Sequence, residues 1–352
     1  MIKNKLPCFV ISAMLFMACG VPTQQDTKDT LQKPARYELV KDWPQLPTGF
    51  LLGNPSGIGV DHNQNIFVFH RAYRKWILPC PKDSFITSPT ILMLDRNSGK
   101  ILNSWGANLF IMPHGLKVDK DDNIWVTDVW LHQVFKFSHD GTLLMKLGKA
   151  HVSGNDSTHF NLPTDVAISP DGSFYVSDGY GNSRVVKFSA TGKYLFEWGK
   201  KGNKPGEFVI PHSINLDVKG NVYVADRENS RIQVFNPEGI FLKEWDNEKS
   251  GKLYALAFDK TKTNLFAVDY LMNDTIPKGS DIFLFDTATI KISQFGRSGS
   301  YNGPICRYHD LVLDDEGSIY VGDILGNRIQ KFRKVPAWSC SENVRSNARS
   351  RK

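Results

Sequence analysis

One pattern returns six times along this chain, and nothing else in the sequence restricts the fold as strongly. Each copy has a short apolar strand, an acidic or Asn/Gly turn, and an aliphatic-aromatic strand that usually ends in Asp. A loop and a strand ending in Lys-Phe or its like follow. The first two copies are "PSGIGVDHNQNIFVFHR" from Pro55 and "PHGLKVDKDDNIWVTD" from Pro113. Next come "PTDVAISPDGSFYVSD" from Pro163, "PHSINLDVKGNVYVAD" from Pro211, "LYALAFDKTKTNLFAVD" from Leu253 and "YHDLVLDDEGSIYVGD" from Tyr308. A further strand such as "TLLMKLG" or "KYLFEWG" closes the unit. Four short antiparallel strands per repeat predict blades, and six repeats predict an all-β, six-bladed β-propeller over residues 37–333. The sixth copy runs out near Arg333 before its outer strand, whereas "YELVKDWP" is a strand with no unit before it. That N-terminal strand is expected to complete the last blade, close the ring and remove its exposed edges. A β-sandwich would not explain six copies in one register.

The formal charge of +7 suggests a nucleic-acid binder until the charges are located. Lys3 and Lys5, with the basic stretch from Arg333 to Lys352, account for all of it, so the repeat body is neutral. No nucleic-acid partner is expected. The start, "MIKNKLPCFVISAMLFMACG", has a lysine-bearing head, an apolar run and small residues around a cysteine. This pattern predicts a signal peptide over 1–18, too short to be a transmembrane helix. Phe16-Met17-Ala18-Cys19 resembles a bacterial lipobox, which predicts lipid on Cys19 and a polar tether over 19–36. The expected product is an exported lipoprotein held by that anchor at the periplasmic side of a membrane or the cell surface. Residues 334–352 read as a basic tail. Cys80, Cys306 and Cys340 would remain after processing and permit one internal bridge, which sequence does not choose.

Aligning the repeats near the start of the first strand places Ser56, His114, Thr164, His212, Tyr254 and His309 in one register. Histidine takes alternate positions, in blades about 120° apart around a six-bladed ring. Side chains at the start of innermost strands converge on the central channel. Three imidazoles converging there, with a position left open, suit a catalytic zinc. Farther along lies a second register: His70, Asp128, Asp178, Asp226, Asp269 and Asp323. Its recurrent Asp predicts turn chemistry rather than catalysis. Arg184, Arg231 and Arg328 also recur, which predicts a role in holding blades together. Arg71 and Arg227 follow the second register in two blades only, on the histidine side, and suit a carboxylate or carbonyl group. Tyr180 is the one tyrosine at its place in the repeats.

Several stretches carry a resemblance: "MPHGL", the His70-Arg71 pair, "WVTDVWLHQVFKF", "LPTDVAISPDGSFYVSDGYGNSRVVKF", "PHSINL", "VADRENSRIQVF" and "HDLVLDDEGSIYVGD". They closely resemble peptidyl-α-hydroxyglycine α-amidating lyase, an NHL-type six-bladed propeller, over residues 38–333. The resemblance implies zinc on His114, His212 and His309. It also implies a structural calcium held by the carbonyls of Ile58 and Leu116 and the side chain of Asp310. Tyr180, Arg71 and Arg227 would be the catalytic, substrate-handling residues. The implied reaction splits the Cα–N bond of a peptide ending in α-hydroxyglycine and releases a peptide amide and glyoxylate. With only a signal and tether ahead of the repeats, hydroxylation is expected to come from a separate enzyme, a candidate partner. There are departures. Animal members carry disulfides at positions corresponding to Asn161 with Gly181 and Tyr223 with Val234, and this chain has neither pair. The third histidine, usually preceded by Met-Pro, follows Arg307-Tyr308, so an arginine is expected near the metal. Cys306 is a further sulfur near His309. Two other readings are a metal-dependent lactonase or hydrolase and a non-enzymatic surface-binding propeller.

Overall fold

The computed structural model describes residues 36–76, 84–246, 251–286, 291–297 and 303–335. It contains six antiparallel sheets, five of four strands and one of five. Blades one to four begin with innermost strands Pro55–Val60, Pro113–Val118, Asp165–Ile168 and Pro211–Leu216. Blades five and six begin with Lys252–Phe258 and Tyr308–Leu313. The expected six-bladed propeller is what forms.

The ring closes as the truncated sixth copy predicts. Arg36–Leu39 is the outer strand of blade six and pairs with Arg328–Val335, Arg36 facing Val335 and Leu39 facing Phe332. The Val40 amide extends the pairing to the Lys331 carbonyl at 2.8 Å. This ladder draws Arg36 out of the expected tether and Lys334 and Val335 out of the expected tail. The signal segment, Cys19, Cys80, Cys340 and the remainder of the tail lie outside the described residues.

Period-two patterning decides how the blades stack. In blade two, Ile124 and Val126 pack with Phe67 and Phe69 of blade one. Trp125, between them, packs on Phe174 of blade three, with ring centroids 4.6 Å apart. The second strands are therefore buried on both faces, as in Ile124–Asp128 and Val222–Asp226. Outer strands such as Tyr194–Trp198 alternate between exposed and half-buried residues, because they meet solvent.

The recurrent Asp is turn chemistry, as its register implies. Asp128 accepts the backbone N–H groups of Ile111, Met112, Trp130 and Leu131 at 2.7–3.0 Å. The recurring arginines bind the same carboxylates: Arg184 to Asp178 at 3.0 Å, Arg231 to Asp226 at 2.8 Å, and Arg328 to Asp323 at 2.7 Å. In blade five Arg297, after the outer strand Lys291–Gly296, reaches back to Asp269 instead. Both positions matched to the animal disulfides are neighbours here. The Gly181 amide bonds to the Asn161 carbonyl at 2.9 Å, and Tyr223 faces Val234 across a strand pair.

Blade one carries His70 where the others carry Asp, and its Nδ1 bonds to the Leu52 carbonyl. Burial lowers its pKa from 6.5 to about 4, against a partial opposing effect of that carbonyl. The unfolded chain would then bind a proton that the folded chain refuses. The His70 contribution is constant above about pH 6.5, and stability is lost as pH falls toward 4, by about 3 kcal/mol in full. We expect the difference in thermal midpoint between wild type and His70→Asn to shrink or reverse across that window in pH-resolved melts. A pH-independent difference would show that His70 does not titrate on unfolding.

Candidate metal centre and active site

The first register delivers His114, His212 and His309 to the channel, each at most 3 % exposed. Their ring centroids lie 4.8, 4.6 and 4.9 Å apart in the three pairings. One ligating nitrogen of each lies within 4.8 Å of the others, and no other group of His, Cys, Asp or Glu among the described residues converges this way. Cys306 is buried in the core with Tyr308 and is not part of the set.

The other three register positions supply backbone. His114 Nδ1 bonds to the Thr164 carbonyl, His212 Nδ1 to that of Tyr254 and His309 Nδ1 to that of Ser56, each at 2.7 Å. Each ring is thus fixed by the next blade, and its Nδ1 is the donor because a carbonyl can only accept. Nε2 is left with its lone pair toward the centre, the form that ligates a metal. Glycine at 115 permits this approach, since a Cβ there would stand 2.6 Å from the Thr164 oxygen. Burial, then neighbouring positive groups, hold all three imidazoles well below the usual histidine pKa, so they stay neutral. Three neutral, tautomer-fixed nitrogens around one point fit a borderline cation such as zinc.

Tyr180 closes one side. Its hydroxyl lies 3.1 Å from Nε2 of both His114 and His212, and Arg227 Nη1 donates to it at 3.2 Å. The loop that carries it is pinned: the Tyr180 amide bonds to the Leu162 carbonyl at 3.2 Å. A Cβ on Gly179 would meet the Pro211 oxygen at 2.2 Å. Trp76, not anticipated from sequence, lies tilted against the Tyr180 ring, with centroids 5.0 Å apart. Burial raises the Tyr180 pKa, and Arg227 and Arg71 oppose that only in part. The protein groups by themselves keep Tyr180 protonated at neutral pH.

Arg71 is 3 % exposed; its Nε donates to the Pro113 carbonyl at 2.9 Å, and its Nη2 is buried without a hydrogen-bond partner. Burial, with Arg307 adding to it, lowers the Arg71 pKa to about 10, still charged at neutral pH. Arg227 is held by Glu228 at 2.8 Å and lies over the Tyr180 and Tyr254 rings. Arg307 joins them, as its position before His309 implies: it bonds to the Tyr254 hydroxyl and stacks on Tyr270, while its Nε is buried without a partner. Three guanidiniums, two with vacant donors, therefore surround the approach to the histidines.

The positions implied for calcium also meet, but not as calcium ligands. Asp310 Oδ2 accepts the Ile58 N–H at 2.9 Å, and Oδ1 accepts that of Leu311 at 2.9 Å. Leu116, on the strand Pro113–Val118, lies against Gly57 of blade one. The group facing Asp310 is the Lys117 ammonium, 3.6 Å from Oδ1 and 3.3 Å from Asp165. An ammonium in the space that faces both carboxylates repels a divalent cation, so these residues as placed do not fit calcium.

Fold and centre together define a class: an NHL-type propeller with a buried histidine triad able to hold a metal in its channel. The NHL repeat family matches residues 110–137, 160–188 and 208–235, within blades two to four. The chain is 35 % identical over 333 residues to peptidyl-glycine α-amidating monooxygenase B of Xenopus laevis, covering 88 % of this chain and 37 % of that protein. It thus spans little more than a third of that relative's length. It is 33 % identical over 304 residues to a probable peptidyl-α-hydroxyglycine α-amidating lyase of Caenorhabditis elegans, covering 80 % of this chain and 83 % of that one. A solved structure of streptogramin B lyase shares the fold, with a TM-score of 0.55 at 14 % identity over 86 % of this chain and 98 % of the other. The chain belongs to the peptidyl-α-hydroxyglycine α-amidating lyase family.

Two imidazoles rarely hold a metal against competition, so His212→Ala should lose the metal that the wild type retains through gel filtration. Elemental analysis checks the loss and circular dichroism the fold. Unchanged stoichiometry in a folded variant would remove the triad as the metal centre.

Proposed function

We propose that this protein is a zinc-dependent lyase that cleaves the Cα–N bond of a peptidyl- or acyl-α-hydroxyglycine, giving an amide and glyoxylate. The observation that carries the reading is the Tyr180 hydroxyl, 3.1 Å from two of the three inward histidine nitrogens and beside the buried guanidiniums. Family membership supports it, since relatives matched along most of their length bear this activity in their names. In the reaction the substrate hydroxyl loses its proton, its C–O bond becomes the aldehyde C=O, and the Cα–N pair leaves with the amide nitrogen, which takes up a proton. A zinc ion on the triad would acidify a coordinated hydroxyl and draw the neighbouring phenol toward phenolate.

The chain's own groups do the rest. Arg71, with its vacant Nη2 buried at the site, is placed to hold the carboxylate that departs as glyoxylate. Arg227 holds the Tyr180 oxygen, and that oxygen is placed to move the proton between hydroxyl and leaving nitrogen. Trp76, backed by the buried Trp130, forms an aromatic wall beside Tyr180 for the acyl or peptide portion. The lactonase alternative is weaker because the converging set is three histidines with no carboxylate among the described residues. A non-enzymatic propeller would have no need of tautomer-fixed rings.

The N-terminal lipid on Cys19 and the resulting membrane attachment are also proposed, on the sequence pattern. Cys19→Ala should leave the protein soluble or unprocessed in fractionation. A mature wild-type N-terminus elsewhere and free of lipid, by mass spectrometry, would overturn it.

Removing one oxygen tests the mechanism. Tyr180→Phe should keep metal and fold, while glyoxylate release from an α-hydroxyglycine substrate falls by roughly two to four orders of magnitude. Arg71→Ala should lose turnover comparably with little change in thermal midpoint, whereas Arg231→Ala should mainly destabilise. Near-wild-type turnover in Tyr180→Phe would remove that residue from the chemistry. A wild-type protein loaded with zinc that releases no glyoxylate would sink the lyase reading itself.

A further inference from the structure

Below the histidines the channel is crossed by one charged cluster. Lys117, near the end of the innermost strand of blade two, reaches Asp165 of blade three at 3.3 Å and Asp310 of blade six at 3.6 Å. All three side chains are at most 15 % exposed. Asp165 Oδ2 also accepts the Ser213 hydroxyl of blade four at 2.8 Å, and Asp310 Oδ2 accepts the Ile58 N–H of blade one. The cluster therefore joins five of the six blades at the axis. Asp310 is the one side chain the family resemblance assigns to a structural calcium.

We propose that the Lys117 ammonium takes the place of that divalent cation, so that this propeller is braced by its own side chain and carries metal only at the histidines. Two buried carboxylates drawn together at an axis need a counter-charge, and breaking such a cluster by removing one partner is strongly destabilising. Calcium meets the need with six to eight oxygen ligands. Here the space facing Asp310 and Asp165 holds an ammonium, which a divalent cation cannot share. A lysine on a strand of one blade, reaching across to another, gives the same tie without dependence on external calcium.

The test uses the full chain, with calcium itself as the probe. Wild type exchanged into buffer with calcium and gel-filtered should retain none by elemental analysis, and its thermal midpoint should be the same in EGTA and in millimolar calcium. Lys117→Ser should melt roughly 5 °C or more lower in EGTA. It should take up about one calcium per chain and recover much of that loss, because the shorter side chain frees two carboxylates and the space between them. Lys117→Met, which fills the space without charge, should be destabilised and not rescued. A wild type that holds stoichiometric calcium or loses stability in EGTA overturns the proposal, and so does a folded Lys117→Ser that binds no calcium. Should Lys117→Ser fail to fold, the wild-type measurements decide. No readout involves turnover, so the result is independent of the lyase reading.

Discussion

Three hydrogen bonds of 2.7 Å, from histidine Nδ1 to a carbonyl of the next blade, hold this site together. They run from blade two to three, from four to five, and from six to one. Each ring is oriented only when two blades have docked, so the centre cannot form locally in a partly folded chain. The last bond matters most. His309 and Ser56 are 253 residues apart and meet across the seam where the ring closes. That seam is sealed by Arg36–Leu39 pairing with Arg328–Val335, a ladder at the periphery of the same blade. Closing the ring, fixing a tautomer and assembling the centre are thus one event.

The channel is layered by charge. Arg71, Arg227 and Arg307 lie at the approach, three neutral imidazoles lie in the middle, and Asp165, Asp310 and Lys117 lie beneath. The guanidiniums help keep the histidines neutral, since Arg71 opposes protonation of both His114 and His309. Neutral rings are the ones that can ligate. The same positive charge favours an anionic ligand at the approach, and its donors are partly vacant. Among the described residues Glu228 is the carboxylate paired with Arg227, and it is tied to Lys252 as well. That balance is the physical basis of the proposed carboxylate-bearing substrate.

Much of this was legible in the sequence because a repeat turns register into position. Six copies fixed the blade count, and the truncated sixth copy announced the closing strand. Alternate histidines announced the triad, and the recurrent Asp identified itself as turn chemistry by recurring. The gaps have physical causes. Carbonyls at Thr164, Tyr254 and Ser56 are backbone, so no residue type marks them, although their interleaving with the histidines was visible. Lys117 reads as a solvated residue near a strand end, and its reach to Asp310 exists only once the ring is closed. In blade five, which carries an extra hairpin at Leu271–Gly279, Arg297 binds the recurrent Asp from a position after the outer strand that the repeat does not mark. Trp76 lies in a loop with no repeat register. For Tyr180, burial is the largest effect on the phenol, and it exists only once the loop is folded over the histidines.

A propeller faces a difficulty that this chain resolves in an instructive way. Six similar blades produce a nearly symmetric channel, whereas a reaction needs different groups on different sides of one substrate. The recurring part of the repeat, the Asp that accepts an N–H from the loop ahead of its blade, ties that loop down in blades two to six. Immediately after that Asp register, the residue varies freely: Arg71, Val129, Gly179, Arg227, Tyr270 and Ile324. A uniform scaffold thus presents a non-uniform ring of side chains at the channel mouth. Glycine at 179 is part of this, since it lets the loop press against Pro211 and brings Tyr180, one residue later, over the histidines. Structure is therefore carried by what repeats, and chemistry by what departs from the repeat beside it. Arg307 follows the same logic, since it stands just ahead of the last histidine and reaches Tyr254 of the neighbouring blade. Its guanidinium adds positive charge at the site, which helps lower the pKa of both Arg71 and His309.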